Sequence, residues 1–419
     1  MTSDRSRRSV LRVGAVTIGL TVAGCTQSDS GSPSPSSQTV SGTPSPSSQS
    51  PASDWPSRGR DPANSGYAPD EEGPRQAVSV DWESGAPGGA FSEPAVTDGT
   101  VYVGSNRTLH AFAAKDGSER WEFETAASVA STPAVADGTA YVLNSSDPAL
   151  GEGIGLLRAV EDGTEEWQFE TDGWTAGNSP AVVDGRVYVG VDGHAYALNA
   201  ADGSQEWHTS LSDVREERYR PRPEAGASTP AVHDGTVYLG DQQVVALDAE
   251  TGAAEWTAPT ASRRGVTTDG EHVYAVRDSG VVAVDASDGS EAWSADLDVS
   301  FLSSPAVDDR RLYVGGRVPP DGGDSRSGLV IALATDDGSV EWRHSTAAAI
   351  QARPSVAADV VYVATGFPGS GAADNALLAL NADDGSTVWS VETGKRVHSS
   401  PVVVDGDVYA SAGTTRALR

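Results

Sequence analysis

The side chains of this sequence that could carry chemistry are one cysteine and seven histidines, and neither set is spaced like a catalytic or metal site. A single thiol, Cys25, excludes an intramolecular disulfide and a site with several cysteine ligands. The histidines, without the short spacings of metal ligands, are His110, His194, His208, His233, His272, His344 and His398. No phosphate-binding glycine loop or nucleophile elbow is present. The sequence therefore predicts no catalytic residue, no metal and no cofactor.

The position of Cys25 points to export. Arg7 and Arg8 precede a short apolar run over residues 13–22, which is too short to span a bilayer. The arginine pair resembles a twin-arginine export signal, and Val22-Ala23-Gly24-Cys25 resembles a lipobox. These features predict a signal peptide over 1–24 and a lipidated Cys25 that anchors the exported protein at the cell surface. The alternative is an ordinary signal followed by an unmodified cysteine.

The segment after the cysteine has the composition of a linker. Residues 25–54 are almost entirely Ser, Pro, Thr, Gly and Gln, with no apolar periodicity. Such a segment cannot bury enough surface to offset its ordering entropy. We expect a disordered tether between the anchor and a folded domain.

The charge of the chain restricts its partners. Lys plus Arg is 29 and Asp plus Glu is 59, which gives a net charge of -30. A polyanion of this size disfavours nucleic acid and anionic membrane surfaces as partners. The only lysines are Lys115 and Lys395. An acidic, lysine-poor surface favours a halophilic protein.

From residue 55 onward the chain repeats one unit eight times. Each unit runs from a Pro-Ala-Val variant through an Asp-Gly turn into a Val-Tyr-Val strand, and then through a second turn into a Trp strand. The strand tyrosines are Tyr102, Tyr141, Tyr188, Tyr238, Tyr274, Tyr313, Tyr362 and Tyr409. The strand tryptophans are Trp82, Trp121, Trp167, Trp207, Trp256, Trp293, Trp342 and Trp389. Short runs in which apolar and polar residues alternate, bounded by Asp-Gly, indicate strands joined in antiparallel hairpins.

Eight such units predict an all-β fold, an eight-bladed β-propeller of four-stranded antiparallel blades over residues 55–419. The last unit ends at Leu418 before any Trp strand, whereas Trp82 has no unit ahead of it. We therefore expect residues 77–83 to complete the C-terminal blade as its outer strand. The alternative is a seven-bladed ring with loose ends.

One spacing carries a family resemblance. Residues 246–256, Ala-Leu-Asp-Ala-Glu-Thr-Gly-Ala-Ala-Glu-Trp, resemble the tryptophan-docking motif of the pyrroloquinoline quinone-repeat propellers. The opening Trp55-Pro56-Ser57-Arg58-Gly59-Arg60-Asp61 is also similar to that family, so the resemblance covers residues 55–419. It implies that each Trp packs on the glycine turn of a neighbouring blade.

The resemblance implies two kinds of function. One branch of the family holds quinoprotein dehydrogenases, which bind pyrroloquinoline quinone and calcium on the ring axis. The other holds noncatalytic lipoproteins, such as the propeller subunit of the bacterial outer-membrane assembly machine. This chain has little sequence beyond its blades and no second cysteine. Both features favour the noncatalytic branch, with a quinone-dependent alcohol or sugar dehydrogenase as the alternative.

The long connections are all expected on one face of the ring. They are the b-c loops 144–155, 317–327 and 366–374 and the d-a loop 212–226. Loops on a rigid scaffold are where binding usually resides. We therefore expect a monomeric propeller that binds an unidentified protein partner through this face.

A cluster of cations is expected at the channel mouth on the same face. Arg263, Arg264, Arg353 and His398 stand just before innermost strands, where other units have small polar residues. Converging guanidinium groups suit carboxylates, so these residues form a candidate site for a small anionic ligand. The alternative is that the arginines pair with neighbours such as Glu93.

Overall fold

The computed structural model describes residues 54–85, 92–125, 127–129, 131–144, 154–172, 178–214, 228–262, 265–300, 302–318, 327–366, 375–397 and 399–419. These residues form eight sheets arranged as the blades of a ring, each with four antiparallel strands, and the sheet of blade 7 has one further strand that pairs parallel. Within a blade, strands a to d run from the ring axis outward. The predicted eight-bladed all-β propeller is confirmed, and the seven-bladed alternative is wrong.

The strands are numbered β1 to β33 in chain order. Blade 1 contains β3 (Ala95–Thr97), β4 (Thr100–Ser105), β5 (Thr108–Ala113) and β6 (Glu119–Glu124). Blade 2 contains β7 (Ala134–Ala136), β8 (Thr139–Asn144), β9 (Ile154–Glu161) and β10 (Thr164–Asp172). Blade 3 contains β11 (Ala181–Val183), β12 (Arg186–Val191), β13 (His194–Asn199) and β14 (Gln205–Ser210). Blade 4 contains β15 (Ala231–His233), β16 (Thr236–Gly240), β17 (Val244–Asp248) and β18 (Ala254–Ala258).

The second half of the ring repeats this pattern until the last blade. Blade 5 contains β19 (Val266–Thr268), β20 (His272–Val276), β21 (Gly280–Asp285) and β22 (Glu291–Asp296). Blade 6 contains β23 (Ala306–Val307), β24 (Arg311–Arg317), β25 (Gly328–Ala334) and β26 (Val340–Thr346). Blade 7 contains β27 (Ser355–Ala357), β28 (Val360–Ala364), β29 (Ala376–Asn381) and β30 (Thr387–Glu392), with β1 (Tyr67–Ala68) as a fifth strand. Blade 8 contains β31 (Val402–Val404), β32 (Asp407–Ser411), β33 (Thr415–Leu418) and β2 (Val80–Ser84).

Blade 8 is closed by the N-terminal part of the chain, as predicted. Strand β2 pairs antiparallel with β33, with Glu83 opposite Arg416. Ser79 and Arg419 extend the pairing through two backbone hydrogen bonds of 2.9 and 3.1 Å. The paired strand begins at Val80 rather than at residue 77. The first and last strands of blade 8 are thus joined without a connecting turn, by backbone hydrogen bonds and by ion pairs such as Arg419 with Asp81.

The two Asp-Gly turns of blade 1 differ from each other. In the a-b turn of blade 1, Asp98 and Gly99 both have positive φ, 50° and 64°, which fits a type I′ hairpin. In the c-d turn, Gly117 has a φ of 69°, whereas Asp116 does not have positive φ. This longer turn is closed by a bond from the Gly117 amide to the Ala113 carbonyl, 2.8 Å. The backbone of this glycine lies against the ring of Trp82 from the neighbouring blade.

The strand tryptophans bind the c-d turn of the next blade. The indole Nε1 atoms donate to backbone oxygens at 2.6 to 2.9 Å in seven joints: Trp82 to Ala114, Trp167 to Ala200, Trp207 to Ala249, Trp256 to Ala286, Trp293 to Thr335, Trp342 to Ala382, and Trp389 to Pro74. In every blade the Trp ring also lies 5.8 to 6.2 Å from the strand tyrosine. The packing implied by the family resemblance is confirmed for every strand tryptophan except Trp389, which meets the Pro74 carbonyl instead of a glycine turn.

The apolar core lies between blades. One cluster joins Tyr274, Val281 and Trp293 of blade 5 to Leu312 and Ile331 of blade 6, all buried. The cluster at the closing joint contains Trp55 and Trp82 from the N-terminal part of the chain. Burial of each blade's faces therefore requires both neighbours, which is typical of repeat architectures.

The connections define two faces of the ring. The a-b and c-d turns lie on what we call the short-turn face, and the b-c and d-a connections lie on the long-loop face. The sequence predicts no helix, whereas the d-a connection after blade 3 contains the one-turn helix α1 (Leu211–Val214). Leu211 is fully buried there, so the turn is held by packing rather than by helix propensity.

The docking of tryptophan on glycine can be tested with two matched glycines. Gly338 and Gly138 both have positive φ, but a Cβ at Gly338 would lie 2.4 Å from Trp293 Cε3, whereas a Cβ at Gly138 would meet nothing within 4 Å. We expect Gly138→Ala to cost about 1 to 2 kcal/mol from backbone strain alone. Gly338→Ala should cost roughly 1 to 3 kcal/mol more because the indole must move. Urea unfolding measures both; equal losses would contradict the docking role of Gly338.

Candidate functional site

The ring axis is occupied by the chain itself. Residues 54–68, which we call the axial segment, receive backbone N–H bonds from the a strands of six blades. The donors are the backbone amides of Val96, Val135, Val232, Thr268, Val307 and Val356. Their acceptors, in the same order, are the carbonyls of Trp55, Pro56, Pro62, Ala63, Ser65 and Gly66, at 2.7 to 3.1 Å. In each of these blades, the donor is the residue of the a strand that directly follows the one paired with the strand tyrosine. The segment therefore uses the same free inner edge in each of these blades.

A buried ion pair lies at the long-loop end of the axis. Arg353 Nη2 donates to Glu93 Oε1 at 2.9 Å, and the side chains are 2% and 6% exposed. The same oxygen accepts the Trp55 indole N–H at 3.3 Å and the Gly59 amide at 3.2 Å. Arg353 Nη1 donates to the Asn64 carbonyl at 3.3 Å. The pair thus binds blades 1 and 7 to the axial segment.

The axial segment needs unusual backbone geometry to fit this space. Gly59 has a φ of 76°, and a Cβ there would lie 2.4 Å from Arg353 Nη1. Asn64 also has positive φ, 57°, and its amide donates to the carbonyls of Pro230 and Val266 at 2.9 and 3.3 Å. Glycine and asparagine tolerate the left-handed region, so the tight path depends on these two residues.

The short-turn end of the axis is open and acidic. A cavity of about 1870 Å³ lies there, lined by fifteen carboxylates and two arginines, Arg60 and Arg186. Burial is the main cause of a raised pKa at Asp54, Asp61 and Glu71. At Asp61 the hydrogen bonds from Ser65 and the charge of Arg60 oppose this rise in pKa. The two ends of the axis therefore differ in both space and charge.

The predicted site residues are only partly described by the structure. Arg353 lies at the long-loop end of the axis, bonded to Glu93 and Asn64. Arg263, Arg264, His398 and Cys25 lie outside the described residues. The anion site that these arginines and His398 would form therefore stays a prediction. The structure does contain the pair of Arg353 with Glu93 that was its alternative.

The axial position of residues 54–68 was missed by sequence reasoning. The segment has no repeat and no apolar alternation, and its contacts are distant, such as Asn64 to Arg353, 289 positions apart. The signal that could have indicated it is local: Gly59, Asn64 and Gly66 mark positive-φ positions in a stretch outside the blade pattern.

The described axial residues do not fit a quinone held on the ring axis. At the long-loop end, Trp55, Gly59, Asn64 and the ion pair take the central space. At the short-turn end, the excess of carboxylates would repel a polycarboxylated quinone. We therefore derive no chemistry through such a cofactor.

Among the described residues, no helix is both long enough and apolar enough to cross a bilayer.

The eight-bladed fold and the contacts of the strand tryptophans with neighbouring blades define a propeller of the pyrroloquinoline quinone-repeat type. The family profile described as outer membrane protein assembly factor BamB matches residues 68–295 and 277–418. The chain belongs to this family.

Solved structures share the fold at low sequence identity. A quinohemoprotein alcohol dehydrogenase from Pseudomonas putida superposes with a TM-score of 0.68 at 14% identity, covering 88% of this chain and 80% of that one. BamB from Moraxella catarrhalis superposes with a TM-score of 0.61 at 16% identity, covering 82% of this chain and 98% of that one. At such identities the likeness shows the fold alone.

A curated relative is a much longer protein. The chain is 29% identical over 183 residues to the serine/threonine-protein kinase AfsK of Streptomyces griseus. The match covers 42% of this chain and 16% of the kinase. The chain thus spans a small part of that relative's length.

The buried ion pair can be tested by removing one partner. Arg353→Met leaves the Glu93 carboxylate buried without its cation, so we expect a loss of about 3 to 5 kcal/mol in the free energy of unfolding. The control is Arg310→Met, which removes a pair with Asp383 whose side chains are 70% and 64% exposed. That variant should lose at most about 1 kcal/mol.

The double variant Glu93→Gln, Arg353→Met should lose less than the sum of the two single variants, because no charge is then buried alone. Denaturant unfolding of wild type, the two single variants, the double variant and the Arg310→Met control gives the comparison. A loss for Arg353→Met no larger than that for Arg310→Met would contradict the role of the pair.

Proposed function

We propose that the chain is an exported, noncatalytic monomer that binds a partner protein through its long-loop face and is anchored to the membrane by lipid on Cys25. The observation that carries the proposal is the filled axis at the long-loop end. A ring-axis enzyme needs open space and free polar groups at that place. Here the described groups bind one another, with Arg353 on Glu93 and Asn64. The rigid blades then hold the loops of the long-loop face in place for contact with a partner protein.

The start of the axial segment supports an orientation for the anchored protein. Asp54 accepts a hydrogen bond from Thr97 Oγ1 at 2.6 Å, and Thr97 precedes the a-b turn of blade 1. The chain before Asp54 therefore joins the ring at the short-turn face, beside the acidic cavity. A tether leaving from this face would turn the long-loop face away from the membrane.

Charge would also keep the tethered ring away from the membrane surface. A flexible tether of the predicted length has a root-mean-square reach on the order of 30 Å. The carboxylates around the short-turn cavity would be repelled by anionic lipid, which keeps the ring off the surface. The long-loop face is then the part of the molecule most accessible to another protein.

Site-specific photo-crosslinking in native membranes tests the proposal. A photo-reactive amino acid replaces Asn106 or Asp278, exposed residues of b-c turns, and in the control it replaces Asp137 or Lys115, exposed residues of short-turn connections. We expect a discrete protein adduct from the long-loop positions and none from the controls. Adducts from the short-turn positions alone, or none from any position, would contradict the proposal.

The same preparation separates the alternatives. Release of a Cys25→Ser variant from the membrane fraction supports the anchor, and its retention contradicts it. Dye-linked oxidation of alcohols or sugars after addition of pyrroloquinoline quinone and calcium would support a dehydrogenase. Calorimetric binding of small polycarboxylates that is lost in an Arg263→Ala, Arg264→Ala, Arg353→Ala variant would support the anion site.

A further inference from the structure

Blade 1 carries a cluster of one histidine and two glutamates on its outer hairpin. His110 is on β5, and Glu119 and Glu122 are on β6. The His110 Nδ1 atom lies 3.0 Å from Glu119 Oε1 and 3.9 Å from Glu122 Oε2. One ligand atom from each of the three residues lies within 4.8 Å of the others. The donor set is one imidazole nitrogen and two carboxylate oxygens.

A β-bulge brings the two glutamates to the same face of the strand. His110 pairs with Glu122, but Phe112 pairs with Glu119, so β6 contains one extra residue between these pairs. In a regular strand, residues three apart point to opposite faces. The extra residue reverses this alternation, so both carboxylates face His110. Linear spacing therefore gave no sign of the cluster, and the sequence predicted no metal site.

His110 is held in the orientation of a metal ligand. Its side chain is 2% exposed and stacks on Phe112, with ring centroids 5.5 Å apart and planes 9° apart. Its Nε2 atom is 3.1 Å from Ser105 Oγ. A ligating histidine characteristically uses its second nitrogen in such a bond, which fixes the ring. The Nδ1 atom is thereby directed at the two carboxylates.

Three other blades have a glutamate at one of these positions and place a cation or a hydroxyl beside it. In blade 2, the residue equivalent to His110 is Arg158, which forms an ion pair with Glu165. In blade 8, the equivalent Arg416 forms an ion pair with Glu83 at 3.4 Å. In blade 5, the Ser294 hydroxyl donates to Glu291 at 2.7 Å. Blade 1 instead places two carboxylates together, an arrangement that an added cation would stabilise.

We propose that His110, Glu119 and Glu122 bind a divalent transition metal ion of the zinc class. Tetrahedral bonds of about 2.0 to 2.1 Å separate ligand atoms by about 3.3 Å, so the distances of 3.0 and 3.9 Å from Nδ1 need to change by about 0.3 and 0.6 Å. Imidazole in the set favours such a metal over calcium or magnesium. Glu119 and Glu122 are 47% and 55% exposed, which leaves water access to the fourth position.

The position of the cluster gives the metal a structural effect. Glu119 follows the c-d turn of blade 1, and that turn receives the Trp82 indole at the Ala114 carbonyl. The ring of Trp82 also packs on Gly117 of the same turn. A metal joining β5 to β6 would therefore hold the hairpin on which the ring-closing strand docks. Zinc binding should raise the melting temperature of the propeller.

Zinc titration of the chelator-treated mature protein tests the proposal. The test variant is Glu119→Gln, Glu122→Gln, whose changed side chains are exposed, and the matched control is Glu291→Gln at the position equivalent to Glu119 in blade 5. Calorimetry in millimolar calcium should show one tight zinc site in wild type and control, weakened at least about tenfold in the test variant. X-ray absorption of the zinc-loaded protein should show one imidazole nitrogen among oxygen ligands.

The proposal would be overturned by equal zinc affinity in wild type and the test variant, by displacement of the zinc by millimolar calcium, or by a spectrum with oxygen ligands alone. A rise in melting temperature with zinc that persists unchanged in the test variant would also overturn it. Because the test variant keeps the buried His110, its Zn-free melting temperature reports separately whether the hairpin folds.

Discussion

The structure depends on one repeated contact, the tryptophan of an outer strand on the glycine turn of the next blade. The indole covers the glycine and donates its N–H to a backbone oxygen, as between Trp293 and Thr335 at 2.6 Å. This contact both buries a large aromatic surface and satisfies its polar group. Six of the eight strand tryptophans make both parts of this contact, and Trp82 of blade 8 is one of them, so the last blade is joined to the first in the same way as neighbouring blades are joined.

Where blade 8 meets blades 7 and 1, the N-terminal part of the chain supplies the contacts that a c-d turn and a d strand supply elsewhere in the ring. The outer strand of blade 8 is β2, which comes from the N-terminal part of the chain, so β33 and β2 are not connected by a c-d turn that could receive Trp389. The Pro74 carbonyl takes that role and accepts bonds from Trp389 Nε1 at 2.6 Å and the Tyr362 hydroxyl at 3.4 Å. Strand β2 then supplies Trp82 for blade 1. The stretch between Asp54 and Ser84 therefore fills the axis, replaces a turn and completes a blade.

Much of this fold could be predicted from sequence because its signals are local and repeated. The dipeptide Asp98-Gly99 predicts a hairpin because these two residues adopt the positive φ that the turn requires. Trp82, which has no repeat unit ahead of it, indicates the strand that closes the ring. The path of the axial segment could not be predicted, because its bonds join residues far apart in the chain: Gly59 and Glu93 are 34 positions apart, and Asn64 and Arg353 are 289 positions apart. The cluster around His110 was hidden for a different reason, since one bulge residue reverses the alternation on which strand patterns depend. Tertiary contacts and local irregularities are thus the parts that spacing does not encode.

The most direct measurement of this account is residue-resolved hydrogen exchange at the inner edge of the ring. The amides of Val96, Val135, Val232, Thr268, Val307 and Val356 each donate to the axial segment. If that segment fills the axis in solution, all six amides exchange slowly, at rates near those of the central strands. If the axis is instead open, these amides face water as a free strand edge and exchange quickly. Fast exchange at most of the six would contradict the central claim.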